Sequence, residues 1–141
     1  MEIKSASSEE TKNLGKRFAS NLHGGTTVAL YGDLGSGKTT FIQGVMEGLG
    51  VENRVTSPTF VLLKMYITPK KHTLFHLDLY RLETPQDIAS LDLPALFNDQ
   101  HAITFIEWPE KIEKLLPIDA LRLTFTTGSK NERIIQSATG F

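Results

Sequence analysis

The 141-residue sequence predicts an α/β domain, in which a mixed sheet lies between helices on both of its faces. Short apolar runs rich in β-branched residues alternate with segments in which apolar residues recur every three or four positions. Glycine, proline and polar residues separate these segments, as expected for turns and loops. The length is that of one domain, so we treat residues 1–141 as a single unit.

The first half of the chain predicts a helix, a buried strand and a second helix. Ser7 and Glu10 have the spacing of a capping box, and apolar residues recur on one helical face after them. Residues 26–31 form an apolar, β-branched run that is typical of a buried strand. A second helical pattern follows a glycine-rich loop and ends at Gly50, where a helix C-terminus favours glycine.

The second half of the chain adds strands and shorter helices. In chain order it predicts a strand entered near residue 60, a strand over 72–78, a helix from Thr84-Pro85 that is interrupted near Pro94, a strand over 102–107, a small helix over 109–116, and two strands over 121–125 and 133–138. A Pro-Lys-Lys turn joins the first two of these strands, and a glycine-containing turn joins the last two. Both pairs are therefore expected to form hairpins.

Residues 32–39 read Gly-Asp-Leu-Gly-Ser-Gly-Lys-Thr, which matches the phosphate-binding loop G-x-x-x-x-G-K-[ST]. The glycines let backbone N–H groups turn toward phosphates, Lys38 reaches the β- and γ-phosphates, and the Thr39 hydroxyl is placed to ligate Mg²⁺. A predicted strand precedes the loop and a predicted helix follows it. We therefore predict a P-loop NTPase-like three-layer sandwich that binds a nucleoside phosphate at the carboxyl end of this strand.

The composition limits the function classes. The formal net charge of −1 at pH 7 gives no basic excess, which disfavours a dedicated nucleic-acid-binding protein. The sequence has no cysteine, which excludes disulfides, thiol catalysis and cysteine-ligated zinc. Residues 1–4 lack the apolar core of a signal peptide, and no apolar run approaches membrane-spanning length. We expect a soluble, cytoplasmic protein that does not associate with a membrane.

Two predicted strands end in a carboxylate. Glu107 ends the strand over 102–107, which is the Walker-B pattern with Glu in place of the commoner Asp, and P-loop NTPases need such an acid to organise Mg²⁺. Asp78 ends the strand before it and could be the group that positions the attacking water. Both carboxylates could instead be simply solvated, and Asp78 could pair with Arg81.

Three further residues have open interpretations. Thr59 could contact Mg²⁺ or the γ-phosphate, although an ordinary loop position is the simpler interpretation. His76 alternates with apolar positions, as a hydrogen-bonded core histidine would, and Trp108 is consistent with packing alone.

From the residues alone, a small-molecule kinase and a nucleotide-gated binding module without essential turnover stay open beside an ATPase. The guanine-specific N-K-x-D motif is absent, which favours ATP.

Four motifs follow one another along the chain: Gly32-Asp33-Leu34-Gly35-x-Gly37-Lys38-Thr39-Thr40-Phe41, Ser57-Pro58-Thr59-Phe60, His76-x-Asp78-x-Tyr80-Arg81-Leu82 and Glu107-Trp108-Pro109-Glu110. Together they resemble the TsaE (YjeE) family, the bacterial ATPase needed to make threonylcarbamoyladenosine in tRNA. The resemblance spans roughly residues 7 to 138. It departs at Gln43, where many members carry Arg, and at Ser36, where Ala is common; neither change removes a backbone donor or a metal ligand.

The resemblance implies roles for individual residues. Thr39 and Glu107 would ligate Mg²⁺, and Asp78 would orient the hydrolytic water or hold the group that does. Lys38 completes the catalytic set with these two carboxylates. The nucleotide-binding set would comprise Asp33, Leu34, Gly35, Ser36, Gly37, Lys38, Thr39, Thr40, Thr59 in a switch I-like segment, Trp108, and, near the base or ribose, Thr11, Lys130 and Arg133.

The resemblance also implies cofactors and partners. ATP and Mg²⁺ are the expected ligands. The family's protein partners are TsaB and TsaD, which transfer the threonylcarbamoyl group to tRNA, and ATP hydrolysis would reset their complex between turnovers. The tRNA itself would be contacted only indirectly, through this complex.

Overall fold

The computed structural model describes residues 1–51 and 63–138. In chain order these contain β1 (Glu2–Ser5), α1 (Ser8–Ala19), β2 (Thr27–Tyr31), α2 (Lys38–Gly48), β3 (Leu63–Ile67), β4 (Thr73–Asp78), α3 (Pro85–Ala89), α4 (Leu93–Asn98), β5 (Ala102–Glu107), a 3₁₀ helix (Pro109–Leu115), β6 (Leu121–Thr127) and β7 (Arg133–Ser137). No helix in this part of the chain is long and apolar enough to cross a membrane.

Seven strands of the described residues form one mixed sheet in the order β1-β7-β6-β2-β5-β4-β3. The four central strands, β6, β2, β5 and β4, run parallel to one another. Antiparallel pairs flank them: β3 with β4 on one side, and β6 with β7 and β7 with β1 on the other. Both predicted hairpins are therefore confirmed. The carboxyl ends of β2, β4 and β5 meet at one edge of the sheet, where the phosphate-binding loop begins.

The sheet has helices on both faces, which confirms the predicted α/β fold. Helices α1 and α2 cover one face, where Phe18 and Phe41 pack into a core with Phe105 of β5. On the other face, α3, α4 and the 3₁₀ helix pack over a second core that contains Ile106. Neighbouring residues of β5 thus point to opposite cores, because side chains alternate along a strand.

Three local predictions were wrong or incomplete. β1 was not predicted, since Glu2–Ser5 contains a single apolar residue; the strand forms by pairing with β7, with Ile3 opposite Ile135. The predicted helix over 109–116 is a 3₁₀ helix. Pro94 interrupts no helix: α3 ends at Ala89, and Pro94 lies in the first turn of α4, where its missing N–H costs no intrahelical bond.

Helices α1 and α2 cross at close range because glycines lie at their contact. A Cβ at Gly44 would clash with the carbonyl oxygen of Lys12, and a Cβ at Gly15 would clash with that of Phe41. Lys12 also forms an ion pair with Glu47 across the two helices. This crossing holds α2, and with it the phosphate-binding loop, against the rest of the domain.

The substitution Gly44→Ala tests this close crossing. Alanine in an exposed helix interior normally stabilises by about 0.5–1 kcal/mol relative to glycine. At Gly44 we expect the opposite sign, a loss of about 1–3 kcal/mol, because the methyl group has no space. Urea unfolding monitored by circular dichroism measures the difference, and Asn13→Ala on the exposed side of α1 is the control. A Gly44→Ala variant as stable as the wild type would contradict the packing.

Candidate active site

A cavity of about 570 Å³ lies at the edge of the sheet where β2, β4 and β5 end. Its floor is the loop between β2 and α2. The lining residues come from five segments of the chain: Ala6, Ser7, Ser8 and Thr11; Leu34 to Thr40; Asp78 and Tyr80; Glu107 and Trp108; Asn131 and Arg133. Since glycine-rich backbone, a lysine and two carboxylates converge there, the cavity is the candidate active site.

The loop between β2 and α2 lines the cavity and contains glycines with left-handed backbone conformations. Gly35 and Gly37 have φ values of 78° and 104°, in the left-handed region that glycine adopts at little cost. Gly37 is also the N-cap of α2, and no side chain caps this helix end. The N–H groups of the first turn of α2 have no intrahelical partner, and the helix dipole makes this end positive. The arrangement suits an anion such as a phosphate group.

Lys38 begins α2, and its side chain is buried beside the loop. Its Nζ donates a hydrogen bond to the carbonyl oxygen of Gly32 and lies 4.1 Å from the centre of the Trp108 ring. Burial lowers the pKa of Lys38, while the negative charge of Glu107 opposes the shift. The ammonium group therefore lies where the loop, an aromatic face and an acidic side chain meet.

Glu107 ends β5 and is buried, with 4% of its surface exposed. Its Oε1 accepts a hydrogen bond from Thr39 Oγ1 at 3.1 Å, and its Oε2 lies 2.7 Å from His76 Nε2. Burial disfavours the ionised carboxylate, but the hydrogen bond and charge of His76 and the Thr39 hydroxyl outweigh it and hold the pKa below its usual value. Glu107 therefore joins α2 to β4 through one ionised carboxylate.

Asp78 ends β4 directly opposite Glu107 in the parallel pairing with β5. Its side chain is exposed and lines the cavity, and its Oδ1 accepts a hydrogen bond from the Tyr80 N–H at 3.1 Å. No ion pair joins it to Arg81 among the described residues. Asp78 thus lies at the mouth of the cavity with a free edge of its carboxylate toward solvent.

Trp108 follows Glu107 and adopts φ +61°, in the left-handed region that bulky residues rarely enter. Its ring packs against Tyr80 at a centroid distance of 5.1 Å. The Lys111 ammonium donates to the carbonyl oxygens of Tyr80 and Leu82 at 3.1 Å and 2.8 Å. These contacts hold the segment after β4 against the segment after β5. The left-handed backbone of Trp108 is of a kind that clusters at functional sites.

The family model described as "Threonylcarbamoyl adenosine biosynthesis protein TsaE" matches residues 5–135. The chain is 40% identical to the tRNA threonylcarbamoyladenosine biosynthesis protein TsaE of Rickettsia bellii, over 91% of this chain and 88% of the relative. It is 38% identical to the protein of the same description from Bacillus subtilis, over 90% of this chain and 78% of the relative. The chain belongs to the TsaE family. Proteins of this family are involved in tRNA threonylcarbamoyladenosine biosynthesis.

Similarity to a solved structure supports the fold described above. The crystal structure of Bacillus subtilis YdiB superposes with a TM-score of 0.79 at 32% sequence identity, over 97% of this chain and 83% of the other. The TsaE match over residues 5–135 contains every segment that lines the cavity. The candidate site therefore lies wholly within the part of the chain that defines the family.

The structure brings most of the predicted site residues to one cavity. Thr11, Leu34 to Thr40, Asp78, Glu107, Trp108 and Arg133 all line it. Asp33 and Lys130 are exposed and are not among its lining residues. Thr59 lies outside the described residues. The Thr11 hydroxyl is engaged by Ser5 Oγ at 2.6 Å, so its methyl group, not its hydroxyl, faces Gly37.

Some lining residues were not predicted. Ser7 and Ser8 were interpreted only as the start of α1, and the Ser7 side chain does cap this helix by accepting a hydrogen bond from the Glu10 N–H. Asn131 lies in the turn before β7 and has φ +65°. Its polar, turn-forming character is the single sequence signal that it carries. Tyr80 belongs to the third sequence motif without an individual predicted role, and it lines the cavity.

The cavity offers oxygen donors of the kind that Mg²⁺ prefers, in the small number that usually holds this ion in a protein. Across residues 1–51 and 63–138, no group of three or more His, Cys, Asp or Glu residues could hold a metal ion. Thr39 and Glu107 offer a hydroxyl and a carboxylate within hydrogen-bond distance of each other. Mg²⁺ prefers oxygen ligands and is usually held by one or two protein groups, with waters and substrate phosphates completing its shell.

The ionised state of Glu107 gives a pH-dependent prediction. Its pKa in the folded chain lies below the usual value of 4.5, so ionisation stabilises the fold above that pH, and the contribution is lost as pH falls through the folded value. We expect the wild type to exceed Glu107→Gln in unfolding free energy at neutral pH, by an amount that shrinks in acid. Urea unfolding of both proteins between about pH 7 and pH 2 measures this difference, because the loss occurs below pH 4.5. A difference independent of pH would contradict the assignment.

Proposed function

We propose that this TsaE-family chain is a Mg²⁺-dependent ATPase that supports tRNA threonylcarbamoyladenosine formation by acting on the TsaB–TsaD complex. The observation that carries the proposal is the hydrogen bond between Thr39 and Glu107, which joins the phosphate-binding loop to a buried strand-end acid. A loop without such an acid could bind phosphate, but it would lack the carboxylate that helps to organise the metal that hydrolysis needs.

The phosphates of ATP are proposed to lie over the N-terminus of α2. The N–H groups around Gly35 and Gly37 would donate to phosphate oxygens, and Lys38 would add a positive charge. Lys38 now contacts Gly32 and Trp108, so its ammonium group would exchange these contacts for phosphate oxygens. The loop would thereby supply both oriented hydrogen-bond donors and a positive charge for a triphosphate.

Thr39 and Glu107 are the residues that would hold Mg²⁺, directly or through water. Bound there, the ion would neutralise charge on the phosphates and order the triphosphate. Asp78, exposed at the mouth of the cavity and next to Glu107 in the sheet, is the residue proposed to orient the attacking water. Its free carboxylate edge can accept a hydrogen bond from that water.

The base and ribose are proposed to lie beside α1 and the turn before β7. Thr11 and the stem of Arg133 flank Gly37, and Asn131 lines the same end of the cavity. The absence of an N-K-x-D motif favours adenine over guanine. Lys130, exposed in the same turn, would contribute by its positive charge.

The partners are part of the proposal. The chain has a net charge of −1, which fits a protein that leaves tRNA binding to TsaB and TsaD. Leu34 and Tyr80 are large apolar side chains at the mouth of the cavity, with 66% and 45% of their surfaces exposed. A partner that covers them would also cover the active site, so docking and hydrolysis would be coupled. The cytoplasmic location predicted from the sequence stays a prediction.

Phosphate release from ATP and from GTP, with and without matched TsaB and TsaD, tests the proposal. We expect weak hydrolysis alone and strong, ATP-selective stimulation by the two proteins. Lys38→Ala should lower stimulated hydrolysis by about 100-fold or more, because a charge that favours the transition state is lost. A folded, ATP-binding sample without stimulation would contradict the partner role, and turnover that needs only a small acceptor would instead indicate a kinase.

Paired substitutions at Asp78 test its proposed role. Asp78→Asn keeps an oxygen that can accept from the Tyr80 N–H but removes the charge, whereas Asp78→Ala removes both. If Asp78 orients water, both variants should bind ATP normally and hydrolyse it about 100-fold more slowly. Single-turnover hydrolysis and ATP titration separate the two quantities. Normal hydrolysis in the Asn variant alone would show that Asp78 acts by shaping the turn.

A further inference from the structure

The His76 side chain is buried under the active site and does not line the cavity. It has 6% of its surface exposed and comes from β4, one strand away from Glu107. The register of β4 with β5 places His76 opposite Phe105, and side-chain alternation turns it to the sheet face that Glu107 and α2 share. An imidazole in this position is largely shielded from solvent and within hydrogen-bond distance of the carboxylate.

The contacts of Glu107 divide its two oxygens between two donors. Oε1 accepts from Thr39 Oγ1 at 3.1 Å, and Oε2 accepts from His76 Nε2 at 2.7 Å. An ionised carboxylate can only accept hydrogen bonds, so His76 Nε2 carries the proton in this contact. With both oxygens held, the carboxylate cannot rotate without breaking one of the two bonds.

We propose that His76 is a positioning residue, which fixes the Glu107 carboxylate so that one oxygen faces Thr39 and the metal position. This rests on the proposed function, since it assumes that Glu107 organises Mg²⁺. Residues that orient a metal-binding group through a hydrogen bond typically contribute 10- to 100-fold to metal affinity. His76 therefore acts on Mg²⁺ affinity and not on the binding of phosphate by the loop.

The experiment compares His76→Met with His76→Gln in the full-length chain. The two side chains are similar in length, but only Gln can donate an N–H near the position of Nε2. Calorimetric titration with adenylyl imidodiphosphate, a non-hydrolysable ATP analogue, is done over a series of Mg²⁺ concentrations and in EDTA. For each protein, the series gives the Mg²⁺ concentration at which half of the Mg²⁺-dependent increase in affinity for the analogue is reached. The wild-type value is the reference.

For His76→Met we expect this Mg²⁺ concentration to rise about tenfold or more, with affinity in EDTA unchanged. His76→Gln should stay within about threefold of the wild type. Wild-type values in both variants would overturn the proposal. An equal loss in both would also overturn it, because the packing of the ring and not its N–H would then be responsible.

A fold check and a fallback variant keep the test decisive. If His76→Met does not fold, His76→Asn replaces it, since its shorter amide falls short of the Nε2 position and should show the same rise in Mg²⁺ requirement. Failure of the wild type to bind the analogue, or binding that ignores Mg²⁺, would contradict the proposed function itself. That result is distinct from a Mg²⁺-dependent wild type with indifferent variants, which contradicts only the role of His76.

Discussion

The Glu107 carboxylate is the point on which the site depends, because three elements must be in register to hold it. Burying an ionised carboxylate is costly unless hydrogen bonds and opposite charge compensate. Thr39 from α2 and His76 from β4 supply the hydrogen bonds at 3.1 Å and 2.7 Å, and Lys38 adds positive charge nearby. A shift of α2 or of one strand would leave a buried charge unpaired, so the fold and the candidate chemistry stabilise the same arrangement.

The scaffold around this point explains how the loop keeps its place. Gly15 and Gly44 allow α1 and α2 to cross closely, which fixes the helix that begins at Lys38. On the opposite side, Trp108 accepts a left-handed backbone and packs against both Lys38 and Tyr80. The aromatic ring thus connects the loop, the end of β5 and the segment after β4. A change in any of these segments is transmitted directly to the group that would meet the phosphates.

The sequence was informative where function depends on local pattern and less so where it depends on tertiary pairing. The loop, Glu107 and Asp78 were predictable because a motif and two strand ends are contiguous in the chain. β1 was not, since Glu2–Ser5 has little apolar content and exists through its pairing with β7. The contact between His76 and Glu107 was not predictable either, because it requires the register of two strands and the face that each side chain takes.

A calorimetric titration of the purified chain with ATP and with GTP, in the presence of Mg²⁺, tests the central claim most directly. The account predicts a single site that binds ATP in preference to GTP and binds it more weakly when EDTA removes the metal. A folded Thr39→Ala variant that binds ATP in EDTA as the wild type does, but gains no affinity when Mg²⁺ is added, would agree with the assignment. A folded wild-type chain that binds neither nucleotide at millimolar concentration would contradict it.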